Sequence, residues 1–177
     1  YPPTLTNSDL ANIKIAKEMG VTGVMQPFVR DHSDLECVKE ALREAGAEDI
    51  RLFAKIENMD GVRKLEKLLP AADEIVIARG DLGNAVHLWD LPGVQRQISE
   101  KCRAAGKPFM VVTQMLASME RSPVPTRAEV NDIFHAVMDG AASIMVTGET
   151  AVGDYPVEVI RYMVNTVRSA EKKKIDK

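Results

Sequence analysis

Apolar residues cluster into five short runs along the chain, and each run is followed by a longer stretch with helical spacing of apolar positions. The runs are close to continuous rather than alternating, which is typical of parallel strands covered on both faces. They occupy Gly23–Val29, Arg51–Glu57, Glu74–Asp81, Phe109–Met115 and Ser143–Glu149. Their starts lie 28, 23, 35 and 34 residues apart, close to the roughly 30 residues of one strand–helix unit. The pattern predicts a parallel α/β fold of about five such units.

The amphipathic stretches around these runs predict helices, and local chemistry marks several of their ends. The predicted helices are Ser8–Met19, Leu35–Ala45, Gly61–Leu69, Leu91–Ala104, Arg127–Met138 and Pro156–Glu171. Thr126 and Glu129 have the spacing of a capping box, and Pro156 suits the first position of a helix. Four glycines follow helical patterns and precede apolar runs, where a left-handed C-terminal residue is expected: Gly20, Gly46, Gly106 and Gly140.

Composition is that of one ordinary globular domain over residues 1–177. Hydrophobic residues make up 45% of the chain and charged residues 28%, with a net charge of −3. This balance argues against electrostatic binding of nucleic acid, and no apolar run approaches the roughly 20 residues of a membrane span. Cys37 and Cys102 are far apart in sequence, so we expect reduced thiols in a cytosolic protein.

Four of the five runs end in polar or charged residues. In parallel α/β proteins the carboxyl ends of the strands converge on one crevice, and binding sites form there. A single polar end can merely mark where a strand reaches water, but four at matching positions favour a shared site. The residues are Lys55 and Glu57, Arg79 and Asp81, Thr113 and Gln114, and Thr147 and Glu149.

Two of these carboxylates suggest a metal site. Glu57 and Asp81 come from neighbouring runs, and two such oxygen ligands suit a hard divalent cation, above all Mg²⁺. Lys55 shares a strand face with Glu57, because side chains two residues apart point the same way. A cation beside the metal would stabilise negative charge on an enolate or a transferring phosphoryl group. A buried Lys55–Glu57 ion pair without a catalytic task is the alternative, and spacing does not decide between them.

Taken in order, a set of short motifs closely resembles pyruvate kinase, and the resemblance covers nearly the whole chain. The motifs are Lys55–Asn58, Ala78–Gly83, Gly106–Pro108, Thr113–Met115, Pro125–Glu129, Gly148–Thr150 and Gly153–Pro156. The resemblance implies a partial TIM (β/α)8 barrel, with the five units corresponding to the fourth to eighth strands. It also implies a phosphotransferase of glycolysis that converts phosphoenolpyruvate and ADP to pyruvate and ATP through a metal-bound enolate in the cytoplasm.

The same resemblance implies roles for the residues at the metal and the reacting oxygen. Glu57 and Asp81 match the family's ligands for Mg²⁺ or Mn²⁺. Lys55 matches the lysine that faces the transferring phosphoryl group and the enolate oxygen of pyruvate.

Further matches concern the substrate. Gly80 and Asp81 match the backbone amides that hold the substrate carboxylate, and Gly80 lets a ligand approach the backbone closely. Thr113 matches the threonine near the methyl carbon that is protonated. Arg79 matches a site-supporting arginine, and Thr147 stands where the family commonly has serine, which keeps a hydroxyl.

Two other classes of function stay open at this point. One is a lyase or aldolase of the pyruvate-barrel group, using Mg²⁺–enolate chemistry without nucleotide. The other is a non-catalytic assembly or binding module. The family's first three strands, lid domain and regulatory domain have no counterpart in these 177 residues. We therefore expect the chain to retain enolate chemistry better than kinase turnover.

Two departures from the family pattern bear on ions and partners. Pro27 stands where many members have serine near the potassium site, which leaves K⁺ dependence undecided. Five parallel strands cannot close a barrel that needs eight, so two strand edges would lie open. We therefore expect a homo-oligomer, or a complementary segment that covers these edges.

Overall fold

A computed structural model of the chain describes residues 2–175, and its centre is a five-stranded parallel sheet. The strands are β1 (Gly23–Gln26), β2 (Arg51–Ile56), β3 (Glu74–Ala78), β4 (Phe109–Val112) and β5 (Ser143–Met145). They pair in chain order, each parallel to the next. All five carboxyl ends therefore lie at one edge of the sheet. The predicted α/β class is confirmed, and the sheet is consistent with part of a barrel.

Helices precede β1 and follow every strand. They are α1 (Asn7–Ala16), α2 (His32–Glu44), α3 (Met59–Arg63), α4 (Leu65–Leu68), α5 (Arg79–Ala85), α6 (Leu91–Ala104), α7 (Arg127–Met138), α8 (Gly148–Ala151) and α9 (Pro156–Ile175). A short 3-10 turn covers Ala117–Glu120. The predicted capping box of Thr126 and Glu129 is confirmed at the start of α7. All four predicted C-terminal glycines have positive φ angles, between 62° and 98°.

The two faces of the sheet bury different sets of side chains. The outer face packs against the helices and carries residues such as Ala54, Ile56 and Ile77, all fully buried. The opposite face, called the inner face below, holds a smaller cluster: Val76, Ala78 and Val112, with Phe53, Met110 and Met145 packed against them. Lys55 alternates with Ala54 and Ile56, so it belongs to the inner face.

A buried carboxylate near the amino ends of the strands shows the direction in which the sheet curves. Glu74 accepts hydrogen bonds from the Arg51 guanidinium at 3.1 Å and from the Ser143 hydroxyl at 2.6 Å. Glu74 and Ser143 stand on β3 and β5, which would lie about 9.6 Å apart in a flat sheet because neighbouring strands are about 4.8 Å apart. Direct contact between the two side chains fits a sheet that curves toward its inner face.

The strands are shorter than the apolar runs that predicted them, and a helix start or left-handed backbone follows soon after three of them. Asn58 caps α3 immediately after β2. Arg79 to Asp81, which belong to the third apolar run, form the first turn of helix α5 instead of continuing β3. Left-handed φ angles of 75° at Thr113 and 52° at Gln114 follow the end of β4. The single predicted helix over 61–69 is divided at Lys64, whose φ and ψ are −98° and 9°.

Membrane and thiol predictions can also be compared with the fold. Within residues 2–175, no helix combines the length and apolarity that a membrane crossing requires. Both cysteines are free thiols, as predicted. Cys37 is exposed, whereas Cys102 lies on the buried side of α6, where burial raises the pKa of its thiol to about 12.

Candidate active site

Lys55 and Glu57 meet at the carboxyl end of β2. The Lys55 Nζ lies 2.9 Å from the Glu57 Oε1, and the Glu57 side chain is only 2% exposed while that of Lys55 is 25% exposed. The other carboxylate oxygen, Oε2, accepts the backbone N–H of Phe28 at 2.7 Å. The two side chains share one face, as the period of a strand predicts. Glu57 is thus held from β2 by the ammonium group and from the loop after β1 by an amide.

Arg79 connects three segments at the carboxyl ends of the strands: the start of α5, helix α7 and the loop after β4. Its guanidinium lies 2.7 Å from a carboxylate oxygen of Asp132 on α7. The same group donates to the Thr113 carbonyl at 2.7 Å and contacts the Met115 sulfur at 2.9 Å. Only 13% of the Arg79 side chain is exposed. Arg79 therefore fixes the start of α5 against α7 and the loop after β4.

Gly80 and Thr113 lie side by side. A Cβ atom placed on Gly80 would be 3.6 Å from the Thr113 Cγ2 and 3.7 Å from its Oγ1. The Thr113 hydroxyl donates to the Val112 carbonyl at 2.6 Å. Because the first amides of a helix have no acceptor within the helix, this arrangement places available N–H groups of α5 next to a hydroxyl.

Asp81 stands in the first turn of α5, directly after the strand that neighbours β2. It is exposed, and no side chain in residues 2–175 forms an ion pair with it. Thr147 is also exposed, at the start of α8, and its amide donates to Glu149 Oε2 at 2.8 Å. In the described part of the chain, no hydrogen bond joins Thr147 to the residues given a catalytic, substrate or metal role: Lys55, Glu57, Arg79, Gly80, Asp81 and Thr113.

Two supporting residues were given no specific role from sequence. Glu149, 2% exposed, accepts the amides of Leu116 at 3.2 Å and Thr147, and so joins the loops after β4 and β5. Its place at the end of an apolar run was the available signal. Asp132 lies on a helix 53 residues beyond Arg79, and nothing in the local sequence marks it as a partner.

The donor set at this edge can be compared with the needs of a divalent cation. Glu57 and Asp81 offer hard carboxylate oxygens from adjacent strand ends. Over residues 2–175, no group of three or more His, Cys, Asp or Glu side chains is arranged so that it could hold a metal ion. Two carboxylates fit Mg²⁺, which usually keeps several waters and takes one or two carboxylates together with substrate oxygens. They would not make a closed, all-protein cage.

Charged and hydroxyl side chains at the carboxyl ends of a helix-covered parallel sheet lie where α/β enzymes carry their sites, and the sheet is consistent with part of a barrel. Residues 2–160 match the family described as "Pyruvate kinase, barrel domain". The chain belongs to the pyruvate kinase family.

Individual relatives agree with this assignment. The chain is 43% identical to a pyruvate kinase of Bacillus licheniformis and 42% identical to one of Dictyostelium discoideum. It is 38% identical to a pyruvate kinase of Clostridium acetobutylicum. Each comparison extends over 169 residues, or 96% of the chain, but over only 29%, 33% and 36% of the respective relatives. The chain thus spans about a third of the length of these proteins.

We predict that the Arg79–Asp132 pair contributes to the free energy of unfolding. Asp132→Asn keeps the side-chain shape but removes the charge facing a mostly buried guanidinium, so we expect a loss of about 1–3 kcal/mol in the free energy of unfolding. Urea denaturation measures it. Asp154→Asn is the matched control, because Asp154 forms a pair with Arg121 of similar length, 2.9 Å, that is largely exposed. The control should cost less than about 1 kcal/mol. Equal small losses in both variants would contradict a structural role for the Arg79 pair.

Proposed function

We propose that the chain carries the catalytic strand ends of a pyruvate kinase-like phosphotransferase, which converts phosphoenolpyruvate and ADP to pyruvate and ATP. The observation that carries the proposal is the Lys55–Glu57 pair at the end of β2, in a chain of the pyruvate kinase family. We further propose that β1 to β5 correspond to the fourth to eighth strands of a (β/α)8 barrel. The names of the relatives favour this reaction over a nucleotide-independent lyase or aldolase.

Lys55 and Thr113 have the chemical tasks in this proposal. The Lys55 ammonium stabilises negative charge on the enolate oxygen of pyruvate and on the transferring phosphoryl group, since a fixed positive charge in a partly buried site stabilises developing anions. The Thr113 hydroxyl guides the proton that reaches the methyl carbon. The proximity of Thr113 to Gly80 supports this role, because it places the hydroxyl beside the proposed carboxylate site.

The remaining residues bind and orient. The amides of Gly80 and Asp81 hold the substrate carboxylate, in keeping with their place in the first turn of α5. The Thr147 hydroxyl is a further substrate contact, and Arg79 keeps the α5 start in position through Asp132 and Thr113. Because phosphoryl transfer depends chiefly on positioning and charge, these contacts matter as much as the groups that touch the reacting atoms.

Glu57 and Asp81 would hold Mg²⁺ or Mn²⁺. When bound, the ion neutralises charge on substrate oxygens and orients them. Asp81 is exposed and forms no ion pair within the described residues, so its carboxylate is open to a ligand. Dependence on K⁺ stays undecided, with Pro27 in place of a family serine, and the cytoplasmic location stays a prediction.

The metal proposal is tested by titrating Mn²⁺ and following its effect on water relaxation. Glu57→Gln and Asp81→Asn each remove one carboxylate, so each should weaken binding by at least about tenfold, the lower end of the effect of altering metal-site residues. Glu66→Gln is the control, because Glu66 pairs with Lys101 on the helical side of the sheet and is 75% exposed. Binding as tight in Glu57→Gln and Asp81→Asn as in the parent would refute the assignment.

Lys55 is tested through two reactions of the same sample: deuterium exchange at the pyruvate methyl group, followed by NMR with Mg²⁺, and ADP-dependent turnover in a coupled assay. Under this proposal, the five described strands are part of a barrel that needs eight to close. Kinase turnover requires nucleotide and acceptor to be positioned together, so its rate should be reduced more than the rate of enolisation. Deuterium exchange should therefore be better retained than ADP-dependent turnover. Turnover without detectable exchange would overturn this ordering.

Within that experiment, Lys55→Met should reduce exchange by at least about a hundredfold, in the range of losing one electrostatic contact to a developing oxyanion. Lys17→Met is the control, because Lys17 also forms an ion pair, with Asp49 at 3.0 Å, but at an exposed position. If Lys55→Met exchanges as fast as the parent, Lys55 is only a structural partner of Glu57.

We also propose that the open edges of the sheet are covered by a second copy of the chain or by a complementary segment. Within residues 2–175, β1 and β5 each pair on one side only, and unpaired strand edges invite pairing. Met25, near the β1 edge, is 39% exposed. Light scattering of the purified chain should give a mass above the 19.5 kDa of one copy. A stable monomer at high concentration would contradict the proposal.

A further inference from the structure

The loop after β1 is bound to the end of β2 through its backbone. This loop, Phe28–Asp31, begins with the amide that donates to Glu57 Oε2 at 2.7 Å. The next amide, of Val29, donates to the Lys55 carbonyl at 3.3 Å. Both residues of the Lys55–Glu57 pair are thus contacted by consecutive amides of one loop.

Phe28 adopts a conformation that needs support from its surroundings. Its φ angle is 51°, in the left-handed region that residues other than glycine seldom adopt. The ring is 53% exposed, so packing of the side chain does not account for the conformation. The N–H of the same residue donates to the Glu57 carboxylate, so this hydrogen bond is one of the contacts available to hold the conformation. Strained backbone of this kind persists only when neighbouring contacts hold it.

The Val29 carbonyl is held from two sides. The Asn58 side chain donates its Nδ2 to this oxygen at 3.2 Å, while its Oδ1 accepts the Gly61 amide at 2.8 Å and caps α3. Gly61 packs directly against the same oxygen. A Cβ atom added to Gly61 would lie only 2.7 Å from it. Such a distance is too short for a real contact, so the Val29 carbonyl occupies the space that a side chain at residue 61 would need.

Asp34 secures the other end of the loop. Its Oδ2 accepts the amides of Arg30 at 2.9 Å and Asp31 at 3.3 Å, and its Oδ1 accepts the Thr4 hydroxyl at 2.7 Å. The Arg30 guanidinium contacts both carboxylate oxygens, at 3.2 and 2.8 Å. Burial alone would raise the pKa of Asp34, but the hydrogen bonds from Arg30 and Thr4 lower it well below its usual value. The carboxylate is therefore ionised at neutral pH and keeps accepting the hydrogen bonds that hold this end of the loop.

We propose that the Phe28–Asp31 loop positions Glu57 for its proposed ligand role, and that Asn58 is the positioning residue that sets the loop. The Phe28 amide occupies Glu57 Oε2, so only Oε1 is presented toward Lys55 and the proposed cation. Without the amide, the carboxylate could rotate about its side-chain bonds and offer either oxygen. This inference rests on the proposed metal site at Glu57 and Asp81. It adds that the affinity of that site depends on contacts to the Val29 carbonyl, which touches neither ligand.

Two variants disturb that carbonyl in opposite ways. Asn58→Ser keeps an N-cap acceptor for α3, but its shorter side chain loses the donor to Val29. Gly61→Ala keeps the Asn58 contact and favours a helix, but its Cβ pushes against the carbonyl oxygen. Val159→Ala is the control for lost stability alone, because Val159 is fully buried on α9, away from this loop.

The experiment measures Mn²⁺ affinity by electron paramagnetic resonance, and the exchange rate of the Phe28 amide by NMR in the metal-free protein. Asn58→Ser and Gly61→Ala, called the loop variants because they disturb the Val29 carbonyl, should each bind Mn²⁺ about tenfold more weakly, the scale of losing support for a metal ligand. The Phe28 amide should exchange faster in each. Val159→Ala should lower the unfolding midpoint with parental affinity and parental Phe28 exchange.

The outcomes separate this inference from the metal proposal beneath it. If the parent binds Mn²⁺ and both loop variants bind it equally well, the positioning role is wrong while the metal site stands. If Val159→Ala weakens Mn²⁺ binding as much as the loop variants do, the effect is one of stability and the positioning role is again wrong. If the parent binds no Mn²⁺ at Glu57, the metal proposal fails and the positioning role fails with it.

Discussion

Burying the Glu57 carboxylate is the constraint on which the arrangement of the site depends. A nearly inaccessible carboxylate is costly unless it is paired and hydrogen-bonded. Here the compensation comes from two different strand ends: the Lys55 ammonium on β2 and the Phe28 amide after β1. Satisfying one carboxylate therefore fixes the relative position of two neighbouring units. The residue that donates this amide, Phe28, has left-handed backbone, so the contact also helps to hold an unfavourable conformation.

A second set of contacts fixes the opposite side of the site in the same way. Arg79 begins α5 with its guanidinium on Asp132 and on the Thr113 carbonyl, and Glu149 joins the loops after β4 and β5. Each contact links the end of one strand to the next unit along the sheet. Parallel pairing alone brings the strand ends to one edge, but these polar contacts set the positions of Gly80 and Thr113 there.

The features that sequence predicted are those governed by local rules. Near-continuous apolar runs located all five strands, and Gly20, Gly46, Gly106 and Gly140 marked left-handed positions because they lack a Cβ atom. The shared face of Lys55 and Glu57 followed from the period of a strand. Local rules did not indicate α5, whose first five residues include Gly80 and Gly83, both weak helix formers. Nor did they indicate the left-handed Phe28, Thr113 and Gln114, or the Arg79–Asp132 pair, because distant contacts impose these features.

The central claim is that Glu57 and Asp81 share one divalent ion beside Lys55, and a crystal of the chain grown with Mn²⁺ tests it most directly. Anomalous scattering identifies the metal independently of any assumed coordination. The account predicts a peak within coordination distance of Glu57 Oε1 and an Asp81 carboxylate oxygen, with the Phe28 amide still on Glu57 Oε2. An intact Lys55–Glu57 pair with no anomalous peak beside it, in crystals that hold Mn²⁺ elsewhere, would contradict the claim.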